Sequence, residues 1–298
     1  MTAEDSAIAG EHTHLAFSGG GRDLLVRVGP GVDAAELREA LLIFLPRWAF
    51  TTVVPSTPDI DVIIEDGRFR VRAVSWDGGE SVADDFHNAA NVLAGLLIDG
   101  ILAHAMAFCC LHAAAAEIGG AAYLFAGPSE AGKSTIALRL AARGCRHLSD
   151  DRILLLTGAA PWRVAGLGLA AKARQPLAPG PELAALVAAR WYLTDDSIAY
   201  LHLSDDEALG FGDTRPLGAV ILPRRDAGLT FDARLEPAGA GEIARALIEE
   251  ATAPAGPATL VPAMTRLAEG CPGFILSYRD GAAAADLLLS ELTDKGDG

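Results

Sequence analysis

The stretch from Leu124 to Gly144, LFAGPSEAGKSTIALRLAARG, constrains the fold more than any other part of the chain. Gly127, Gly132, Lys133 and Ser134 have the spacing G-x-x-x-x-G-K-S. The residues before the motif are apolar, as in a buried strand, and those after it have helical spacing. A loop between a strand and a helix points backbone N–H groups at an anion, which the helix dipole also favours. The motif therefore predicts a phosphate-binding loop.

Each position of this loop has an expected task. Lysine at the place of Lys133 reaches the β- and γ-phosphates, and the hydroxyl at the place of Ser134 ligates Mg²⁺. The remaining positions offer backbone N–H groups to the phosphates. The residues predicted to bind the nucleotide are Gly127, Pro128, Ser129, Glu130, Ala131, Gly132, Lys133, Ser134 and Thr135.

Two adjacent carboxylates follow the predicted helix. Asp150 and Asp151 come after the residues RHLS, where a strand is expected to end. In a protein with a phosphate-binding loop, an acid at this place completes the Mg²⁺ shell. Neighbouring residues on a strand point to opposite faces. One carboxylate could therefore face a metal and the other a substrate hydroxyl, or one could cap a solvated turn.

A histidine precedes the loop. His112 lies 21 residues before Lys133, near the start of a strand that a Gly119–Gly120 turn connects to the strand of the motif. A single histidine in an apolar run is more often packed in a core than used in chemistry. The residues alone therefore assign it no role.

The chain is strongly acidic, with a net charge of -15 from 39 acidic and 24 basic residues. Binding to nucleic acid or to an anionic membrane surface needs clustered positive charge, so we expect neither partner. The most basic run, PRRDA from Pro223 to Ala227, is interpreted as a solvated turn. The polar residues 1–14 are not expected to be a secretory signal. The cysteines have no C-x-x-C spacing, so we expect reduced thiols and a cytoplasmic location. The four cysteines are Cys109, Cys110, Cys145 and Cys271.

A long apolar segment, Ala89–Ala116, runs into the motif. Its length suits a transmembrane helix. However, Asp99 and His104 interrupt it, and no basic flank marks a cytoplasmic end. We therefore predict a buried core helix that gives way to the strands of the motif from Leu111.

The residues before this segment predict a smaller α+β domain. A helix is expected over 33–45, begun by Asp33 as its cap. Asp66–Gly67 predicts a hairpin between strands over 59–66 and 68–76, whose aspartates are expected on a solvated face.

Beyond the motif, strands and helices continue to alternate. A strand is predicted over 217–223, a helix over 242–251 and a strand followed by a helix over 273–292, with a Pro/Ala-rich connection at 176–181. The fold class expected is α/β, or α+β for the whole chain. We predict an N-terminal domain over 1–100 for recognition or assembly, a second domain over 101–292, and a disordered tail over 293–298.

The segment from Leu111 to Leu156 resembles the catalytic segment of bacterial HPr kinase/phosphorylase and its HPr-kinase-like relatives. That family has a histidine, a hairpin, a Walker A loop, a helix that ends in Arg-Gly, and an Asp-Asp pair. Arg143–Gly144 and Asp150–Asp151 match it, and AGLGLA over 165–170 is similar to the Gly-Leu-Gly segment that follows. The resemblance covers residues 111–170.

The resemblance implies a P-loop kinase core over 101–292, related to HPr kinase and phosphoenolpyruvate carboxykinase, with ATP and Mg²⁺ as cofactors. By this likeness, Asp150 is the acid/base that accepts the proton of an attacking serine hydroxyl. His112 is the neighbour that interacts with that carboxylate. Ser134 and Asp151 belong to the Mg²⁺ shell.

Three positions depart from the family. Glu130 stands where the family has glycine, so its φ is expected to be negative. Thr135 replaces an acidic residue, and Arg163 stands at the place of a glutamate that helps to hold metal. These departures argue against HPr itself as the substrate and give no ground for a phosphorylase back-reaction.

The leading hypothesis is an ATP-dependent kinase that phosphorylates a serine-type hydroxyl of a peptide, a protein or a small molecule, by analogy in a peptide natural-product pathway. Arg215 is a candidate for a positive charge beside the phosphates, although an arginine in such a position is more often an ordinary surface residue. The alternatives are a carboxykinase-like small-molecule kinase and a nucleotide-binding scaffold or regulatory protein whose kinase site has decayed. Homo-oligomerisation stays open.

Overall fold

The computed structural model describes residues 12–19, 22–54, 56–104, 107–195 and 197–293. Within these residues the chain is a mixed α/β protein of seven helices and several sheets, as predicted. It divides after His104 into two compact units.

The first unit is a six-stranded sheet with two helices. Its strands are β1 Thr13–Gly19, β2 Arg22–Val28, β3 Ala49–Thr52, β4 Ile60–Glu65, β5 Arg68–Ala73 and β6 Glu80–Ala83, and its helices are α1 Ala34–Phe44 and α2 Phe86–Ala103. The strand order is β3-β1-β2-β4-β5-β6, with β2 and β4 parallel. Asp33 caps α1 by accepting the N–H groups of Ala35 and Glu36 at 2.8 and 3.1 Å, so the predicted helix is confirmed. The hairpin at Asp66–Gly67 is confirmed as well, with both residues at positive φ.

Two of the aspartates expected on a solvated strand face, Asp59 and Asp61, are buried instead, whereas Asp66 is exposed as predicted. Asp61 accepts Arg27 at 2.7 and 2.8 Å and Arg72 at 2.9 Å. Asp59 accepts the Leu25 N–H at 2.9 Å and the Ser75 hydroxyl at 2.6 Å. Burial is tolerated because each carboxylate is hydrogen-bonded, which an alternating sequence pattern cannot reveal.

Helix α2 is the one helix of the described residues that is long and apolar enough to cross a membrane, and 56% of its apolar window is buried inside the structure. The helix is shorter than predicted. It ends at Ala103, and Cys109–Leu111 forms strand β7, whose residues are all buried between neighbouring strands. A fully buried strand has no alternation, so periodicity does not distinguish it from a buried helix.

The second unit is built on a ten-stranded sheet. The strands of the unit are β7, β8 Ala114–Ile118, β9 Ala121–Phe125, β10 Arg146–Ser149, β11 Ile153–Leu155, β12 Arg163–Gly166, β13 Ala171–Arg174, β14 Trp191–Asp195, β15 Ile198–Leu201, β16 Thr214–Arg225, β17 Ala233–Pro237, β18 Ala251–Thr252 and β19 Gly273–Tyr278. The main path is β10-β8-β9-β16-β12-β11-β7-β18, and β19 pairs with β16 and β17. Strands β13, β15 and β14 form a separate three-stranded sheet.

Five helices complete this unit: α3 Lys133–Ala141, α4 Pro181–Arg190, α5 Ala240–Glu249, α6 Pro257–Gly270 and α7 Gly281–Thr293. Apolar residues of α3 and α7 form a core on one face of the sheet, and those of α5 and α6 form a core on the other face. Strands β9, β16 and β19 are parallel neighbours. Their carboxyl ends therefore meet at one edge, where open α/β sheets bind ligands.

The predicted terminal strand and helix, and the helix over 242–251, are confirmed as β19, α7 and α5. Helix α6 and the three-stranded sheet were not predicted, and α4 begins inside the supposed Pro/Ala-rich connection. Proline at the first position of a helix suits α4 and α6, both of which start with Pro. Of the predicted tail, Thr293 ends α7 and 294–298 lie outside the described residues.

Candidate active site

The phosphate loop has the predicted setting between β9 and α3. Gly127 and Gly132 adopt φ values of +135° and +97°, which favour glycine. The ammonium of Lys133 is buried and donates to the carbonyl oxygens of Gly127 and Pro128. Burial lowers the pKa of Lys133, against the opposing charges of Glu250 and Asp151. The lysine thus folds back onto its own loop.

Glu130 contradicts the expectation of a negative φ. Its φ is +68°, the left-handed conformation that favours glycine. Its carboxylate accepts a hydrogen bond from Arg174 on β13 at 3.1 Å, with both side chains exposed. The charge that would lie beside a phosphate is therefore paired.

Tyr278, at the end of β19, covers the loop. Its hydroxyl donates to the carbonyl of Ala131 at 3.1 Å. A Cβ atom on Gly132 would lie 1.9 Å from that hydroxyl oxygen. Glycine is thus required at 132 both by φ and by the space that Tyr278 leaves.

Asp150 lies in the turn between β10 and β11, where its side chain is buried. Its Oδ2 accepts the backbone N–H of Lys172 at 2.5 Å, while its buried Oδ1 has no hydrogen-bond partner among the described residues. Burial raises the pKa of Asp150 to about 7, although the charge and the N–H of Lys172 act in the opposite direction. The Ser134 hydroxyl donates to the main-chain carbonyl of Asp150 at 2.9 Å, so the main chain of Asp150 adjoins the phosphate loop.

Asp151 follows in the same turn and is half-buried. Its Oδ2 pairs with the Lys172 ammonium at 2.9 Å, and its Oδ1 lies 3.5 Å from Nε2 of His112. Burial alone would raise the pKa of Asp151, but the charges of Lys172 and His112 hold it below its usual value.

His112 is half-exposed rather than packed in a core, and its Nδ1 lies 3.0 Å from Oε2 of Glu250. The resemblance implied a contact with Asp150. The structure gives the contact to Asp151 instead, and the side chain of Asp150 is buried.

A cavity of about 560 Å³ joins these groups. Its polar wall contains His112, Ser129, Glu130, Gly132, Lys133, Ser134, Thr135, Asp150, Asp151, Lys172, Arg174 and Arg225, and its apolar wall contains Leu138, Leu177, Ala178, Leu183 and Ile198. The loop residues Gly127, Pro128 and Ala131 line an adjoining cavity of about 450 Å³. The structure therefore brings the predicted site residues together around two neighbouring spaces.

Two other residues singled out in the sequence lie apart from both cavities. Arg215 pairs with Glu117 at 3.0 Å, and Arg163 donates to the Thr214 hydroxyl at 2.5 Å. Neither lines a cavity of the loop.

Four contributors were missed: Lys172, Arg225, Glu250 and Tyr278. Lys172 is the one charged residue in a run of small and apolar residues, GLGLAAKA. This isolated charge was the sequence feature that could have indicated its place in the site. Arg225 was assigned to a solvated turn, but Pro223–Arg225 is the end of β16 and the turn starts after it. An exposed pair of arginines at a strand end has the same sequence pattern as a turn.

The oxygen donors of the site fit Mg²⁺. They are the Ser134 hydroxyl and the Asp151 carboxylate. No group of three His, Cys, Asp or Glu side chains able to hold a metal ion occurs in the described part of the chain. This arrangement suits Mg²⁺, which is usually bound by one or two carboxylates together with substrate phosphates.

No protein-family model matches the chain, and no curated protein matches it. Among solved structures, it is similar to the HPr(Ser) kinase/phosphatase from Coxiella burnetii, with 14% sequence identity and a TM-score of 0.34. That match covers 63% of this chain and 99% of the other. The similarity is weak, so the function proposed below rests on the geometry of the site.

Proposed function

We propose that the protein is a Mg²⁺-ATP-dependent kinase that transfers the γ-phosphate to a serine-type hydroxyl. One observation carries this proposal. Asp150 lines the cavity of the phosphate loop, its main-chain carbonyl accepts the Ser134 hydroxyl, and its buried carboxyl group has one oxygen without a hydrogen-bond partner among the described residues. Transfer to a hydroxyl needs such a base beside the phosphates.

Asp150 suits the removal of a proton from the acceptor. A general base works best when its pKa lies near the working pH, and burial raises the pKa of Asp150 to about 7. The backbone N–H of Lys172 holds Oδ2, so Oδ1, which is buried and has no partner among the described residues, would be the oxygen that accepts the hydroxyl proton. His112 and Lys172 act on the neighbouring Asp151 and keep it ionised.

The loop side of the cavity would bind the nucleotide. Lys133 and the loop N–H groups would hold the phosphates, and Ser134 with Asp151 would hold the metal. When bound, Mg²⁺-ATP supplies the phosphoryl group and offsets the charge that develops on it. The chain orients the acceptor hydroxyl against Asp150 and excludes water with the apolar wall.

The acceptor class includes hydroxyls of peptides, proteins and small molecules, and a peptide natural-product pathway belongs to the same proposal. A cytoplasmic location is proposed as well, because all four cysteines are free and buried.

The test is Asp150→Asn, assayed with labelled ATP, Mg²⁺ and a mixture of hydroxyl acceptors. Phosphoryl transfer should fall by about 10²- to 10⁴-fold, while ATP still binds. Asp232→Asn is the matched control, because Asp232 is an exposed carboxylate that pairs with Arg279 and lines neither cavity. Full transfer by Asp150→Asn would refute the assignment of the base.

A nucleotide-binding regulatory protein is the second candidate. Its support is the pairing of Asp151 with Lys172, which already neutralises an expected metal ligand. This alternative predicts ATP binding without transfer to any acceptor by the wild-type protein.

A carboxykinase-like small-molecule kinase would instead transfer phosphate to a small acceptor and to no peptide.

A further inference from the structure

The positive charges that line the 560 Å³ cavity differ in whether they are paired. Lys172 pairs with Asp151, and Arg174 pairs with Glu130. Arg225 forms no side-chain hydrogen bond or ion pair with any described residue, and its charge lowers the pKa of the nearby Tyr278 phenol against the effect of burial. Its guanidinium is therefore available to a ligand.

Strand pairing places Arg225 beside the phosphate loop. Strand β16 runs parallel to β9 with Ile221 opposite Phe125, so both chains reach the carboxyl edge of the sheet together. Arg225 is also opposite Tyr278, whose hydroxyl contacts the loop. It lines both the cavity that contains Lys133 and the adjoining cavity that contains Gly127.

The strand order puts Arg225 and Asp150 on opposite sides of the loop. Strand β9, which enters the loop, lies between β8 and β16. Asp150 follows β10, which is on the far side of β8, whereas Arg225 ends β16. A phosphate chain on the loop would thus have the base on one side and Arg225 on the other.

Charge balance gives this position a task. A nucleoside triphosphate with Mg²⁺ and one lysine still carries net negative charge, and phosphoryl-transfer sites commonly offset it with an arginine. Lys172 and Arg174 are already neutralised by carboxylates. Arginine can also bind two phosphate oxygens at once through its planar fork.

We infer that Arg225 binds the phosphate chain of the nucleotide, from the side opposite to Asp150. This inference rests on the proposed function, because it requires that the loop bind a nucleoside triphosphate. Arg225 is then a nucleotide-contacting residue that the motif does not contain.

The test compares Arg225→Ala with Arg224→Ala in the full chain. Arg224 is the adjacent residue of the same strand, but it pairs with Glu242. Dissociation constants for fluorescent analogues of ATP, ADP and AMP are measured by titration in the presence of Mg²⁺. Both arginines are exposed, so thermal melting should show that neither substitution affects folding.

Arg225→Ala should weaken ATP binding by about 10- to 100-fold, the loss expected for a charge-assisted hydrogen bond, and should affect AMP least. Arg225→Lys should recover part of the loss, because it keeps the charge without the fork. Arg224→Ala should bind as the wild type does.

Wild-type ATP affinity in Arg225→Ala, together with a clear loss in Lys133→Ala, would overturn the inference and leave the proposed function intact. An equal loss in Arg224→Ala and Arg225→Ala would overturn it too, because a general surface charge would then be responsible. If the wild-type chain binds no nucleotide at all, the inference and the proposed function fall together.

Discussion

Substituting Gly132 by alanine tests how closely Tyr278 packs on the phosphate loop, through the loss of folding stability that it causes. Gly132 has φ +97°, and a Cβ there would lie 1.9 Å from the Tyr278 hydroxyl oxygen and 3.2 Å from Cζ. The left-handed conformation costs alanine about 1–2 kcal/mol, and forcing an atom into a packed site costs about 1–3 kcal/mol more. Gly132→Ala should therefore lower the free energy of unfolding by about 2–5 kcal/mol.

Gly144→Ala is the matched control. Gly144 follows the same helix at φ +88°, but a Cβ there would meet no atom within 4 Å. It should cost only the conformational share, about 1–2 kcal/mol. Denaturant unfolding followed by a probe in the second unit measures both variants.

Adding Tyr278→Phe should rescue Gly132→Ala, because it removes the colliding hydroxyl oxygen. In the wild-type background the same change costs about 1 kcal/mol, for the hydrogen bond to the Ala131 carbonyl. The double variant should thus be more stable than the sum of the two single losses, by up to about 3 kcal/mol. Equal losses for Gly132→Ala and Gly144→Ala, or additive losses in the double variant, would refute this reasoning.

Three further predictions concern charge. Burial would raise the pKa of Asp61, but Arg27 and Arg72 hold it below its usual 3.8. The stability that Asp61 contributes is therefore present above pH 3.8 and is lost on further acidification. In a series of thermal melts at different pH values, Asp61→Asn should reduce the fall in melting temperature at acidic pH. If Asp150 is the base, kcat/KM for phosphoryl transfer should rise as pH increases through about 7. Lys172→Met should move this rise to higher pH, because the lysine charge lowers the pKa of Asp150. A pH profile that Lys172→Met leaves unchanged would contradict the assignment. Glu130→Gln and Glu130→Gly should both bind ATP more tightly than the wild type, because each removes a negative charge beside the loop. Glycine adopts a positive φ without strain, so Glu130→Gly should be about 1 kcal/mol more stable than Glu130→Gln in denaturant unfolding.

The sequence predicted those parts of the site that are local in the chain. The loop from Gly127 to Thr135 and the turn at Asp150 and Asp151 are each a short stretch between two elements. Their residue types and spacing therefore carry the chemistry.

The contributors that were missed reach the site through strand pairing over long distances in the chain. Tyr278 meets the loop because β19 pairs with β16 and β16 pairs with β9. Lys172 meets both aspartates from an edge strand of a different sheet. No local spacing encodes such partners, and the positive φ of Glu130 was missed because a bulky polar residue rarely adopts it.

The two aspartates are held by chemically different parts of one residue. The main chain of Lys172 holds Asp150, and its side chain holds Asp151. In a library of all substitutions at 172, Asp150 would therefore keep its donor in every variant except proline, which has no N–H. Asp151 would lose the Lys172 ammonium in nearly all of them and would keep its contact with His112. Substitution at 172 thus removes the ion pair of Asp151 and the lysine charge that lowers the pKa of Asp150, while the main-chain hydrogen bond to Asp150 is kept.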